Sequence, residues 1–412
     1  MTQSRALVRA PGDALYAAMA ISSVAFFIIF TTAIIIQSHP PYDLRGYPLG
    51  HDFVNTWMSG RAALGGHPAD WFDVHVYNQA VRLLFGLPKI FPLYNWSYPP
   101  DILLFTWIFG LLSYLPAWTL WSVTGFAVYY FAAAQNERRL DRLIFLAAWP
   151  AATVNLFAGQ NGFFTAALMI GGLTQTEKRP ILAGVLFGLL TLKPQLGLLL
   201  PLMLLLTRNW RCMAAATLTT LTLIALTTAL YGAGVWEAYF HVAVPAQNHV
   251  FEMLSGRAAI ALPTPFMNAR ALGAPLDVAW LIQFPVSVVA LGTAIWTYWR
   301  RRDPTLSCAV LITATFLVTP YAWAYDMIVF GWVITKLHAR SDNQLLDELI
   351  VLGVWALPII SDPYPLSGIP AFSLFLMLLM ARLLWRLYRD DSRLPVRKEA
   401  VSAQIDFAGA KP

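Results

Sequence analysis

The sequence predicts an all-α polytopic membrane protein, and three observations carry that reading. Of 412 residues, 58% are hydrophobic and only 12% are charged, whereas an ordinary soluble domain is nearer a quarter charged. The apolar residues gather into successive runs, several of them near membrane length. The basic residues fall in the short connectors between those runs, as the positive-inside rule distributes them.

The first run, residues 14–36, follows Arg5 and Arg9 and leads into Gln37-Ser38-His39-Pro40-Pro41. A signal peptide would be shorter in its apolar part and end at a small-residue cleavage site, so this reads as an uncleaved first span. A long polar and aromatic loop, 37–100, comes next and carries helix signals. Asp52 can cap a helix over 53–65, and Asp70 one over 71–85 that Gly86 ends. In the second, Trp71, Val74, Val81, Leu84 and Phe85 recur at helical spacing, with Gln79 and Arg82 elsewhere. Both read as amphipathic helices lying on the bilayer surface. Tyr98-Pro99-Pro100 breaks the backbone before Asp101 opens the next helix.

The remaining spans are expected at 101–115, 117–134, 143–158, 162–176, 180–192, 195–207, 212–231, 278–299, 305–320, 326–340, 345–361 and 369–387. Several fall short of the roughly 20 residues a perpendicular crossing needs. Short runs fit hairpins that turn back inside the protein, where the backbone is shielded from lipid. The expected architecture is a bundle of about 11–13 transmembrane or re-entrant helices.

Topology follows from the charges. Basic clusters stand at Arg138-Arg139 with Arg142, Lys178-Arg179, Arg208 with Arg211, Arg300-Arg301-Arg302, Lys336 with Arg340, and Arg382 through Lys398. These are assigned to the cytoplasm. The loop 37–100 then lies outside, together with Gly159-Gln160-Asn161-Gly162, Lys193-Pro194-Gln195, a second long loop 232–277, Pro320 to Asp326, and Ser361 to Pro365. Two full crossings between 101 and 134 would put Arg138-Arg139 outside, so 101–115 is expected to be re-entrant or to lean on the membrane. Residues 1–390 form one membrane domain, and 391–412 a polar cytoplasmic tail. The net charge of +6 is explained by topology and not by the continuous basic surface a nucleic acid requires. Cys212 and Cys308, both in apolar stretches, imply no disulfide framework.

Polar residues inside apolar runs are costly and mark function. Lys193 is the only charged residue between Arg179 and Arg208. Gln160-Asn161 sits between glycines in a stretch without charge from Arg142 to Glu177, and Asp326 is alone between Asp303 and Lys336. On the expected topology all three meet the loop carrying His51-Asp52-Phe53-Val54-Asn55-Thr56-Trp57. Plainer readings stand beside these. Asp52 and Asp326 can be helix caps, Lys193 can snorkel to the interface, and Asn161-Gly162 is a common turn pair. Trp107, Trp118, Trp121 and Trp149 read as interfacial or packing residues, with Trp57 and Trp96 as better sugar platforms. His75, His241, His249 and His338 lack metal-ligand spacing, and no nucleotide-binding glycine motif occurs.

The order Asp52-Phe53-x-x-x-Trp57-x-x-Gly60-Arg61, Tyr98-Pro99-Pro100, Gly159-Gln160-Asn161, Lys193-Pro194-Gln195, Gln247-Asn248, and Thr319-Pro320-Tyr321 through Tyr325-Asp326 resembles glycosyltransferase family 87, of the GT-C superfamily. The resemblance runs from about Asp52 to about Trp332. It implies a GT-C-like helical bundle with the catalytic acid in the first outer loop, matching Asp52. It implies a polyprenyl-phosphate-linked sugar as donor, with mannose expected, and an inverting transfer that needs neither metal nor cofactor. It also implies a multi-pass protein of a bacterial inner (plasma) membrane with its active site facing the periplasm. Relatives that extend a phosphatidylinositol mannoside carry a His in the region of Tyr325-Asp326, and this chain has none there.

The chemistry assigns roles by residue type. Asp52 is the expected base, removing the acceptor hydroxyl's proton as its oxygen attacks the anomeric carbon. The departing lipid phosphate needs fixed donors, expected from Lys193 and Arg61 with Gln160 and Asn161. Asn55, Trp57, Tyr98, Gln195, Asn248, Tyr325 and Asp326 are expected to contact substrate. The acceptor is a glycolipid or glycan of unstated identity, reached from the bilayer. A flippase for lipid-linked sugars, which would show paired repeats, and an envelope assembly subunit are the competing readings.

Overall fold

The computed structural model describes residues 11–43, 46–88, 94–135, 137–300, 302–338, 344–360 and 370–392. Arg340, the Ser361–Pro365 turn and all but the first two residues of the 391–412 tail lie outside the described residues. The chain is an all-α membrane protein, and among the described residues no strand forms.

The elements follow in order. Helix α1 (Pro11–Gln37) precedes a segment built of α2 (Phe53–Gly65) and α3 (Val74–Phe85). Helices α4 (Leu103–Gly110) and α5 (Tyr114–Ala134) come next, then α6 (Leu140–Ala148), α7 (Pro150–Ala158), α8 (Gly162–Gln175), α9 (Pro180–Leu189), α10 (Leu200–Leu206) and α11 (Trp210–Tyr231). A second such segment holds α12 (Gly234–Ala238), α13 (Val244–Met253) and α14 (Pro265–Ala271). Helices α15 (Leu276–Trp299), α16 (Pro304–Val318), α17 (Val329–His338), α18 (Gln344–Ile360) and α19 (Phe372–Ser392) complete the chain.

Among the described residues, Leu15–Gln37, Trp210–Tyr231 and Leu276–Trp299 are each long and apolar enough to cross a bilayer alone. Two bent pairs add to them. Pro100–Gly110 and Tyr114–Ala134 meet at 118°, and Leu140–Ala148 and Pro150–Ala158 at 58°. The first bend is that of a broken span or a re-entrant loop. Tyr231 at the end of α11 donates to the Leu103 carbonyl at the start of α4, and Trp57 Nε1 of α2 to the Leu112 carbonyl just after it. The expected single span 143–158 is instead broken at Pro150, whose ring suits a first helical turn and not an interior.

Among the described residues three apolar cores form. The largest joins α1 and α5–α10 to α15–α19 through residues such as Phe145, Trp149, Phe316 and Trp332. The second gathers α2, α3, α4 and the start of α5 around Phe53, Tyr77, Trp96 and Trp121. A smaller one lies around Phe266 and Met267, with Tyr321 and Trp323 packed against it.

The second core corrects the sequence reading of the first outer loop. Helix α2 is buried along most of its length, and Tyr77, Val81 and Phe85 of α3 face protein, not bilayer. The cap of α3 is Asp73, whose carboxylate accepts from the His75 and Val76 amides, and not Asp70, which sits in a preceding 3-10 turn. Gly86 ends α3 as expected, with φ +60°. Trp96 is not a platform: its ring is buried and stacked on Phe72 at 4.5 Å.

Helices α2 and α4 approach closely at Gly60 and Gly110. A Cβ on Gly60 would stand 2.3 Å from the Thr106 carbonyl oxygen and 2.7 Å from the Gly110 amide. Thr56 and Gly60 on α2, and Thr106 and Gly110 on α4, repeat the small-xxx-small spacing of close helix pairs. We expect Gly60→Ala to destabilise the protein by about 1–3 kcal/mol or more, as overpacking does. Gly65→Ala, with no atom within 4 Å of its new Cβ, should be neutral or stabilising. Thermal unfolding in detergent checks both; equal melting temperatures would mean that α2 and α4 are not locked at this contact.

Candidate active site

The site forms where the three cores meet. Its centre is the turn Gly159-Gln160-Asn161-Gly162 between α7 and α8, and the two glycines explain its placement. Gly159 has φ +64°, and a Cβ on it would lie 2.4 Å from that of Phe53 and 2.5 Å from the Gly50 carbonyl oxygen. A Cβ on Gly162 would lie 2.5 Å from the Tyr325 carbonyl oxygen. The turn is therefore pressed against the start of α2 on one side and the α16–α17 loop on the other. The Asp52 amide donates to the Ala158 carbonyl (3.0 Å), which pins the α2 end there.

Asp52 stands in the N-cap position, yet its side chain makes no capping bond. Gln160 Nε2 donates to Asp52 Oδ2 (2.8 Å), and the Tyr98 hydroxyl donates to Gln160 Oε1 (2.8 Å). Gln160 is thus held at both ends of its amide and presents the carboxylate to the cluster. Asp52 is half-buried. That burial pushes its carboxyl above the usual range, against the pull of the Gln160 hydrogen bond and of nearby His51 and Lys193. His51 itself is turned away: its Nε2 lies 3.1 Å from Asp43 Oδ2 and its ring stacks on Tyr47.

Lys193, in the break between α9 and α10, is only 5% exposed and does not snorkel. Its Nζ donates to Asp326 Oδ1 (2.6 Å) and to Asn161 Oδ1 (3.3 Å), and lies 4.6 Å from the centre of the Tyr325 ring. An ammonium has three N–H groups, and two hydrogen bonds and a ring face account for them. Asp326 uses its other oxygen locally, accepting from the Trp323 amide (3.1 Å) at the start of a 3-10 turn. It is therefore both a cap and the partner of Lys193. Asp52, Lys193 and Asp326 together carry a formal charge of −1.

A second network borders the first. Asn95 donates to Gln247 Oε1 (3.0 Å), and Gln247 Nε2 and Trp323 Nε1 both donate to the Tyr321 hydroxyl (2.9 and 2.8 Å). The Trp323 and Tyr325 rings are near-parallel at 5.9 Å. This ties the first segment to the second and to the α16–α17 loop, with all four side chains half-exposed.

The structure thus brings together Asp52, Tyr98, Gln160, Asn161, Lys193, Tyr325 and Asp326. It does not bring in the rest of the expected set. Arg61 is exposed, with its guanidinium over Trp57 and Nη1 3.5 Å from the Gly110 carbonyl oxygen. Nine residues along α2 separate it from Asp52 by about 13 Å. Trp57 is packed edge-on against Phe85 and Tyr114, and Asn55 accepts from the Tyr77 hydroxyl (2.5 Å), so both serve the second core. Gln195 is half-buried without a hydrogen bond to the cluster among the described residues. Asn248 is exposed, and its neighbour Gln247 takes the inward place. Adjacent helical residues do not share a face, and α13 buries no residue, so no apolar stripe could have told the two apart. Asn95, Tyr321 and Trp323 carried no charge to single them out.

The family model described as glycosyltransferase family 87 matches residues 96–320, more than half of the chain. No curated protein and no solved structure matches it.

The buried pair makes a prediction about stability. Lys193→Met leaves Asp326 buried without a counter-charge, which costs about 3–5 kcal/mol. Adding Asp326→Leu should recover most of that loss, since apolar replacement of a whole buried pair is often neutral. Denaturant unfolding of both variants reads the difference, and an equal loss would mean that the two charges do not depend on each other.

Proposed function

We propose that this chain, which belongs to glycosyltransferase family 87, transfers a hexose from a polyprenyl-phosphate donor with inversion, using Asp52 as general base. Membership makes the protein a membrane-embedded glycosyltransferase. The finer reading rests on one observation: Gln160, held by Tyr98, draws the Asp52 carboxylate off its helix end and into the cluster.

The mechanism follows from those positions. The acceptor hydroxyl gives its proton to Asp52 as its oxygen bonds to the anomeric carbon, and the bond from that carbon to the phosphate oxygen breaks. A carboxyl raised by burial is a stronger base than a free one. Gln160 keeps it oriented. The leaving phosphate is a weak base and needs no acid. Its charge would meet the Lys193–Asn161 end of the cluster, where Asp326 competes for the same ammonium. Mannose as the sugar, a bacterial inner membrane and a periplasmic site are parts of this reading, supported by the family and by basic connectors lying away from the site face.

The test uses purified protein and a radiolabelled polyprenyl-phosphate sugar. Loss of a general base lowers turnover by about 10²–10⁴-fold, and Asp52→Asn should show this. Wild-type turnover should fall with acidification at a pH above the ordinary aspartate value of about 3.9. The sign for stability is opposite. Folding holds the Asp52 proton more tightly than the unfolded chain does, so ionisation costs stability as pH rises through the raised value. Asp52→Asn should therefore melt no lower than wild type at neutral pH. Undiminished transfer by that variant would remove the proposed base, and donor movement without glycosidic product would favour a flippase.

A further inference from the structure

A second concentration of charge, exposed this time, lies at the other end of the same helices. A cavity of about 520 Å³ opens between the far ends of α5 and α8, a volume typical of small-ligand sites. Gln135, Arg138, Thr174, Gln175, Lys178 and Arg179 line it. Both helices begin at the active site, where Trp121 donates to the Gln160 carbonyl and Gly162 opens α8. At 1.5 Å per residue the end of α5 is about 20 Å from Trp121, and the end of α8 about 20 Å from Gly162. A ligand in this cavity does not reach Asp52.

Three cations line the cavity and no carboxylate does. Glu177, exposed between Gln175 and Lys178 in the chain, does not line it, and the acids of the α5–α6 loop are engaged elsewhere. Glu137 accepts from Arg142 (2.5 Å) and has Lys336 at 3.7 Å, while Asp141 pairs with Arg139 (3.1 Å). Among the described residues, none of Arg138, Lys178 and Arg179 has a carboxylate partner. Topology explains why basic residues lie near this face. It does not explain why three of them gather around one open cavity with two amides and a hydroxyl. The remaining wall points to lipid. Phe131 of α5 is 54% exposed, and the Arg138 guanidinium lies 4.8 Å from the centre of its ring. Apolar surface directly beside cations is the arrangement met at the headgroup–acyl boundary.

We propose that this cavity binds the phosphate of an anionic lipid headgroup from the leaflet opposite the active site. Basic pockets between membrane helices recognise such headgroups through charge and hydrogen bonding.

The experiment titrates phosphatidylglycerol into protein purified in neutral detergent and reads bound lipid by native mass spectrometry. Phosphatidylcholine and soluble glycerol phosphate are the comparison ligands. Each cation is worth about fivefold in affinity, so Arg138→Gln should weaken phosphatidylglycerol binding about fivefold. Arg138→Gln/Lys178→Gln/Arg179→Gln should weaken it about a hundredfold. Arg208→Gln/Arg211→Gln, which removes charge from another connector at that face, should bind as wild type does. Equal binding by wild type and Arg138→Gln would overturn the site and leave these cations as topology signals. Soluble glycerol phosphate binding as tightly as phosphatidylglycerol would overturn the lipid source. Equal loss in the Arg208/Arg211 variant would show that surface charge in general, and not this cavity, holds the lipid.

Discussion

The buried contact between Lys193 and Asp326 is the constraint on which the site depends. An isolated ion in a membrane-embedded interior is strongly disfavoured, and even a pair is stable only when its remaining hydrogen-bonding capacity is met. Here it is met by the α7–α8 turn and by the α16–α17 loop itself. Asn161 comes from the α7–α8 turn, Tyr325 offers its ring face, and the Trp323 amide fills the second Asp326 oxygen. Satisfying one ion pair therefore fixes the α9–α10 break, the α7–α8 turn and the α16–α17 loop relative to one another. Gln160 is adjacent to Asn161, so the orientation of Asp52 follows from the same arrangement.

That arrangement also limits the chemistry. With two carboxylates and one ammonium, the cluster has a surplus negative charge, and Lys193 has no uncommitted N–H. A phosphate arriving at Lys193 must displace Asn161 or share the ammonium with Asp326. Such a site suits a reaction in which negative charge leaves with the lipid better than one that stores an anion. Burial raises the Asp52 carboxyl, and the Gln160 hydrogen bond, His51 and Lys193 pull the other way without cancelling it.

Much of this was legible in the sequence because the cost of a charge in an apolar run is independent of fold. Lys193 and Asp326 stood out for that reason, as did Gln160-Asn161 between glycines. Their mutual pairing was not legible: 133 residues separate the ion pair, and periodicity reaches only along one element. Reasoning from the motif around Asp52 went too far along α2. Asn55, Trp57 and Arg61 share the helix with Asp52, but each additional residue moves a side chain 1.5 Å along the axis and about 100° around it. By Arg61 the side chain is beside Gly110 and not the cluster. The amphipathic pattern of α3 was real, yet its apolar face meets the second core. An apolar stripe says that something covers it and does not distinguish protein from lipid.

The two faces of the molecule differ in a way that the lengths of the helices explain. Short 3-10 turns at Pro100–Ile102, Leu190–Leu192, Pro194–Gly197 and Ala324–Ile328 all lie at the active-site face. Two of them open on a proline, which cannot supply a helical N–H, and Trp323 and Lys193 precede such turns in extended or irregular backbone. Irregular backbone at membrane depth survives only where protein or water encloses it. Helices that stop short leave that enclosed space, and the side chains at their ends turn into it instead of toward lipid. At the opposite face α5 and α8 run on to basic connectors. The short apolar runs that made the span count ambiguous in the sequence are thus the same segments that create the site.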